Sequence, residues 1–127
     1  MPNYWFDHVH LLSPDPIKTA KFYEKTFGAK KVTVSELSDG RTSVELNLSG
    51  VAIRVMSPRT QPLVPNASPT GLEHFGIRTD DLEAAVTELK TKGVQVVQDI
   101  KVVRPGLKIS FVLAPENVLV ELLETNG

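Results

Sequence analysis

No cysteine occurs among the 127 residues, which excludes disulfides, thiolate metal sites and cysteine nucleophiles. No apolar run approaches the roughly 20 residues needed to cross a bilayer, so no membrane partner is expected. Charge of one sign is not in excess. Fourteen Lys and Arg stand against 15 Asp and Glu for a net charge of −1, and neither sign runs in a block. A nucleic-acid surface needs Lys and Arg clustered on one face, so no nucleic-acid partner is expected either. Met1-Pro2-Asn3-Tyr4 lacks the basic and apolar regions of a signal peptide, which makes a cytoplasmic location the expectation. Histidine is scarce, with three copies at His8, His10 and His74.

What is present is an internal repeat. Phe6–Leu12 alternates as a strand, and Asp15-Pro16 then caps and starts a helix with Ile17, Ala20, Tyr23 and Phe27 at helical spacing, closed by Gly28. Strands over Lys31–Leu37, Arg41–Leu48 and Val51–Met56 follow, joined at Ser38-Asp39-Gly40 and Ser49-Gly50, both hairpin signals. Pro58, Pro62, Pro65 and Pro69 mark an extended linker over 58–70. The pattern then restarts. Leu72–Thr79 reads as a strand, Asp80 or Asp81 caps a helix carrying Leu82, Ala85, Val86 and Leu89, and Gly93 ends it. Strands over Val94–Val103, Leu107–Leu113 and Val118–Leu123 complete the unit, the last two joined by Ala114-Pro115-Glu116-Asn117.

At an offset of 66, Phe6-Asp7-His8-Val9 falls on Leu72-Glu73-His74-Phe75, and the cap Asp15 falls on Asp81. With one residue of slippage, Ile53-Arg54-Val55 falls on Val120-Glu121-Leu122. One domain over 1–127 is therefore expected, built from a βαβββ module over about 4–57, the linker and a second module over about 71–125.

Strand alternation sorts the polar residues. Val44, Leu46, Ile53 and Val55 take one face of the first module, and Glu45, Asn47, Arg54 and Met56 take the other. The three histidines and Glu121 fall on that second face of their own strands. His8 and His74 hold the same position in the two repeats, so pseudo-twofold packing brings them together with Glu121. Two neutral imidazoles and one carboxylate form a three-ligand set that suits Fe2+ or Mn2+ and leaves positions open. Zn2+, Ni2+ and Co2+ are further candidates.

These residues resemble the vicinal oxygen chelate superfamily of glyoxalase I, methylmalonyl-CoA epimerase, extradiol dioxygenases and bleomycin-binding proteins. The likeness rests on Phe6-Asp7-His8-Val9-His10-Leu11, Lys21-Phe22-Tyr23-Glu24, Gly71-Leu72-Glu73-His74-Phe75-Gly76-Ile77 and Val120-Glu121-Leu122-Leu123-Glu124. It implies an α+β fold in which two tandem βαβββ modules form a cupped, partly closed eight-stranded mixed sheet with helices outside. It also implies His8, His74 and Glu121 as ligands of one divalent ion, a small-molecule substrate and a homodimer. The family's remaining ligand position, usually Glu or Gln in glyoxalase-like and epimerase-like members, is occupied by Arg54, and a guanidinium cannot bind a metal.

Counting from the Ser49-Gly50 turn places Arg54 opposite Glu45. Arg54 then either neutralises Glu45 on the sheet or, oriented by it, holds a carboxylate or enolate oxygen of the substrate. Glu45 as a fourth ligand is a further alternative. His10 is a candidate base or proton shuttle beside His8, and Asn47, Met56, Arg78, Ser110 and Phe111 are candidate pocket residues. The three-ligand set places a metal-dependent oxygenase on a small oxygenated metabolite first. A glyoxalase-like or epimerase-like isomerase or lyase, with Glu45 or His10 as base, comes second. A metal-free drug- or metabolite-binding protein comes third.

Overall fold

The computed structural model describes residues 2–65, 67–115 and 118–126. Eight strands in mixed parallel and antiparallel pairing and two helices make the class α+β, as expected. They run β1 (Tyr4–Leu12), α1 (Pro16–Phe27), β2 (Lys30–Glu36), β3 (Thr42–Leu48), β4 (Val51–Met56), β5 (Gly71–Thr79), α2 (Leu82–Thr91), β6 (Gln95–Arg104), β7 (Leu107–Ala114) and β8 (Val118–Thr125). The expected Ala114–Asn117 connection has its last two residues, Glu116 and Asn117, outside the described set. Among the described residues no helix is long and apolar enough to cross a membrane. The chain divides into two compact units, residues 8–73 and residues 74–127 with 1–7.

In the first unit the strand order is β2-β3-β4-β1, with β1 and β4 parallel and the other pairs antiparallel. Asp15 caps α1 by accepting from the Lys18 N–H at 3.1 Å, and Pro16 loses nothing at a position whose N–H has no helical partner. Gly28 ends the helix at φ 76°, where a side chain would meet its own backbone. Ala20 of α1 covers Val44 and Leu46 of β3 and Ile53 and Val55 of β4, with Leu11, Tyr23 and Leu48 packed around them. Each fully buried Leu or Val there contributes about 1.5–3 kcal/mol. The helix face departs from the expected one. Ile17 and Phe27 are exposed, because Phe27 turns onto Phe22 and Tyr23, with ring centroids 6.0 and 6.3 Å away.

The tight turn between β3 and β4 uses Ser49 and Gly50, both at positive φ, which matches the twist of paired strands. It sets the register Leu48 to Val51 and Glu45 to Arg54, as counted from the sequence.

The Pro-rich segment is held by a contact that composition does not announce. The Arg59 guanidinium meets Glu73 at both carboxylate oxygens, 2.6 Å from Nε and 3.0 Å from Nη2. The Glu73 side chain is only 9 % exposed, so removing Arg59 leaves a nearly buried carboxylate short of a partner. Arg59→Ala is expected to cost about 2 kcal/mol, below the roughly 3–5 kcal/mol of a fully buried pair. Urea unfolding checks this, with the midpoint falling at unchanged slope.

In the second unit the order is β5-β8-β7-β6, with β5 and β8 parallel. Asp81, one of the two expected caps, starts α2 by accepting from the Ala84 N–H at 3.0 Å. Leu82 and Val86 of that helix pack on Val112 of β7 and on Val120 and Leu122 of β8. The other expected cap, Asp80, instead accepts from the backbone and side chain of Asn3 at 3.0 and 2.9 Å. Those bonds hold its carboxyl below the usual carboxylate range.

Candidate functional site

In the first unit the registers line up one polar row. On parallel β1 and β4, His8 stands beside Ala52, His10 beside Arg54 and Leu12 beside Met56. On β3, Glu45 is the antiparallel partner of Arg54, and on β2, Thr33 is the partner of Glu45. His10, Arg54, Glu45 and Thr33 thus share one face, on neighbouring strands about 4.8 Å apart. Arg54 Nε donates to Glu45 Oε1 at 3.3 Å, and both side chains are about one-third exposed. His8 and His10 are buried, 0 % and 5 % exposed, with ring centroids 6.2 Å apart.

The second unit builds the corresponding row from other chemistry. Glu121 of β8 stands beside Gly76 of parallel β5 and opposite Phe111 of β7, and Phe111 pairs with Gln98 of β6. The pairs His10–Arg54 and Gly76–Glu121 occupy matching places, which gives the one-residue slip between the repeats a physical basis. By the same registers Glu45 and Phe111 correspond. One unit therefore carries a cation and a carboxylate where the other carries a carboxylate and a ring.

His74 on β5 lies beside this row, and its Nε2 is 3.5 Å from Glu121 Oε1. Both side chains are largely enclosed, 1 % and 12 % exposed. The His74 ring meets Phe111 edge-on, with centroids 5.2 Å apart at 85°, so the imidazole is fixed by packing. A buried carboxylate is costly unless paired or bound to a metal. An imidazole nitrogen and a carboxylate oxygen aimed at each other are a donor pair that a divalent cation accepts. The residues present fit two ligand positions of such an ion.

The remaining expected residues have other surroundings. Met56 is on the Arg54 face, half-buried beside Leu12 and Ser43. Asn47 is exposed, and its Oδ1 accepts from the Gly50 N–H at 3.0 Å, which makes it a turn residue. Arg78 lies over the Trp5 ring at 5.3 Å, a cation–π contact. Ser110 faces away from the Phe111 row. It pairs with Leu122 on the face that α2 covers and donates its hydroxyl to the Gln98 carbonyl at 2.7 Å. Adjacent strand residues point to opposite faces, so Ser110 and Phe111 cannot both line one pocket. Thr33 comes onto this face through the bulge between Lys31 and Thr33, which shifts the count along β2.

Residues 7–111 match the model of the glyoxalase/bleomycin resistance protein/dioxygenase superfamily. Human mitochondrial methylmalonyl-CoA epimerase is 30 % identical over 126 residues, spanning 91 % of this chain and 71 % of that protein. Among solved structures, a hypothetical protein from Bacillus halodurans C-125 superposes with a TM-score of 0.80 at 21 % identity, covering 98 % of this chain and 96 % of its own. Methylmalonyl-CoA epimerase from Mycobacterium tuberculosis superposes with a TM-score of 0.75 at 23 % identity, covering 96 % and 88 %. At those identities the two structures establish the fold. The relatives named by activity are epimerases, so the oxygenase chemistry placed first on the ligand count finds no support in them.

Proposed function

Because the chain belongs to the glyoxalase/bleomycin resistance protein/dioxygenase superfamily, we propose that it is a metal-dependent isomerase of the epimerase kind. Its substrate is a small oxygenated metabolite with a carboxylate near a carbonyl. The observation that carries this reading is the row in which Arg54 stands between His10 and Glu45. Inverting a carbon beside a carbonyl needs one group to remove a proton and another to return one on the opposite face. A cation between two such groups holds the substrate across that gap.

Glu45 is the base that takes the proton, and His10 returns one from the other side; the reverse reaction exchanges the roles. Arg54, oriented by its 3.3 Å bond to Glu45, holds the substrate carboxylate. His74 and Glu121, 3.5 Å apart, are ligands of one divalent ion. Such an ion supplies Lewis-acid stabilisation of the negative charge that develops on the carbonyl oxygen. Phe111 fixes the His74 ring and keeps water from it.

The test is deuterium exchange. With the metal-loaded protein in D2O, methylmalonyl-CoA or a related 2-substituted malonyl thioester is expected to gain one deuterium at the carbon between its carbonyls. Oxygen uptake with a catechol and no exchange would support the oxygenase reading instead. Arg54→Gln is expected to raise KM about 10- to 100-fold with a smaller change in kcat, since a charge-assisted bond contributes roughly 1.5–3 kcal/mol. Steady-state kinetics on this variant checks it.

A further inference from the structure

We propose that the second unit carries a separate ligand site, an apolar cleft on its helix-covered face that takes an uncharged compound with one aromatic ring. The cleft measures about 360 Å³ and is lined chiefly by Tyr4, Ile77, Leu89, Val112, Ala114 and Val120. Val112 and Val120 are paired partners on the face beneath α2, whereas Phe111 and Glu121 point to the opposite face. A compound bound here would not reach the proposed catalytic row.

The repeat says why the cleft exists and what fits it. Counting from the caps Asp15 and Asp81, Tyr23 of α1 corresponds to Leu89 of α2. Counting from the matched pair Glu45 and Phe111, Leu48 corresponds to Ala114 and Leu46 to Val112. In the first unit, Tyr23 and Leu48 pack against the core. In the second, each of the three positions holds a smaller side chain. Leu89 and Ala114 also pack against their core, but with less bulk than Tyr23 and Leu48, and the cleft lies against them. Its natural occupant therefore has the shape of what is missing, an aromatic ring.

The chemistry of the walls agrees. An apolar cavity of about 150 Å³ already takes benzene, and ligand sites combine apolar walls with few polar groups. The polar group among the named residues is the Tyr4 hydroxyl. Burial, and then the charge of Glu88, push its pKa up. The Glu88 carboxylate that acts on this hydroxyl disfavours a second anion beside it, which favours an uncharged ligand.

The probe is p-cresol, the free analogue of the tyrosine side chain, titrated into the full-length methyl-labelled protein and followed by NMR. Saturable one-to-one shifts of the Leu89, Val112, Ala114 and Val120 methyls are expected. Leu89→Tyr with Ala114→Leu restores the first unit's residues and should weaken binding at least tenfold while the melting midpoint holds or rises. Ala114→Leu alone should weaken it in part, which keeps the test informative if the double variant folds poorly. Absence of saturable shifts, shifts scattered over the surface, or undiminished binding in the filled variants would overturn the proposal. So would competition by a second copy of the chain, seen as a loss of cresol binding with rising protein concentration.

Discussion

Replacing His74 by alanine is expected to lower the divalent-ion content from about one per chain to near zero and to cut turnover by about 10³-fold or more. Lewis-acid stabilisation contributes several kcal/mol to a transition state, and each 1.4 kcal/mol is a factor of ten in rate. The enclosure of the pair makes the loss severe. With His74 gone, the largely enclosed Glu121 loses the imidazole at its side, and a carboxylate by itself would be a weak anchor. His74→Ala also opens space beside Phe111, so circular dichroism must accompany the metal assay. His74→Gln, which fills most of that space, should lose the ion while keeping the fold. Retention of the ion in both variants would remove His74 from the ligand set.

Glu45→Gln separates proton transfer from metal binding. A positioned general base contributes typically 10²- to 10⁴-fold, and the amide has the shape of the carboxylate but cannot accept the proton. Deuterium incorporation should fall by about that factor while the ion content stays at the wild-type level. Stability should barely move, because the Glu45–Arg54 pair is about one-third exposed on both sides and such pairs contribute roughly 0.2–1 kcal/mol. If Glu45→Gln released the ion instead, Glu45 would be a ligand and the base would have to be sought at His10.

The parts of the molecule that were legible in the sequence are those set by local rules. Asp15 and Asp81 announce helices because their oxygens fit orphan N–H groups, and both cap as read. The Ser49-Gly50 turn fixes the pairing of Glu45 with Arg54 by counting alone, since a two-residue loop permits one register. The match of Arg54 with Glu121 comes from counting along the repeat, whereas their parallel partners, His10 and Gly76, are set by the sheet registers. What stayed hidden depends on packing at a distance. Arg59 reaches Glu73 across a segment with no periodicity, so nothing in the sequence pairs them. Asn47 was grouped with its face-mates, although an Asn beside a tight turn satisfies the turn first. Ser110 and Phe111 are neighbours in sequence, which in a strand means opposite faces. The smaller side chains at Leu89 and Ala114 gain meaning when set against Tyr23 and Leu48, a comparison that needs both registers in hand.

The central claim is that one divalent ion is held through His74 and Glu121 and that the reaction depends on it. Elemental analysis of protein purified without chelator tests it most directly. About one divalent ion per chain is expected, removable by chelator together with the deuterium exchange and restored with it, and absent from His74→Ala and Glu121→Ala. A chain that takes up no ion from Mn2+, Fe2+, Co2+, Ni2+ or Zn2+, or whose exchange activity survives full removal of metal, would contradict it.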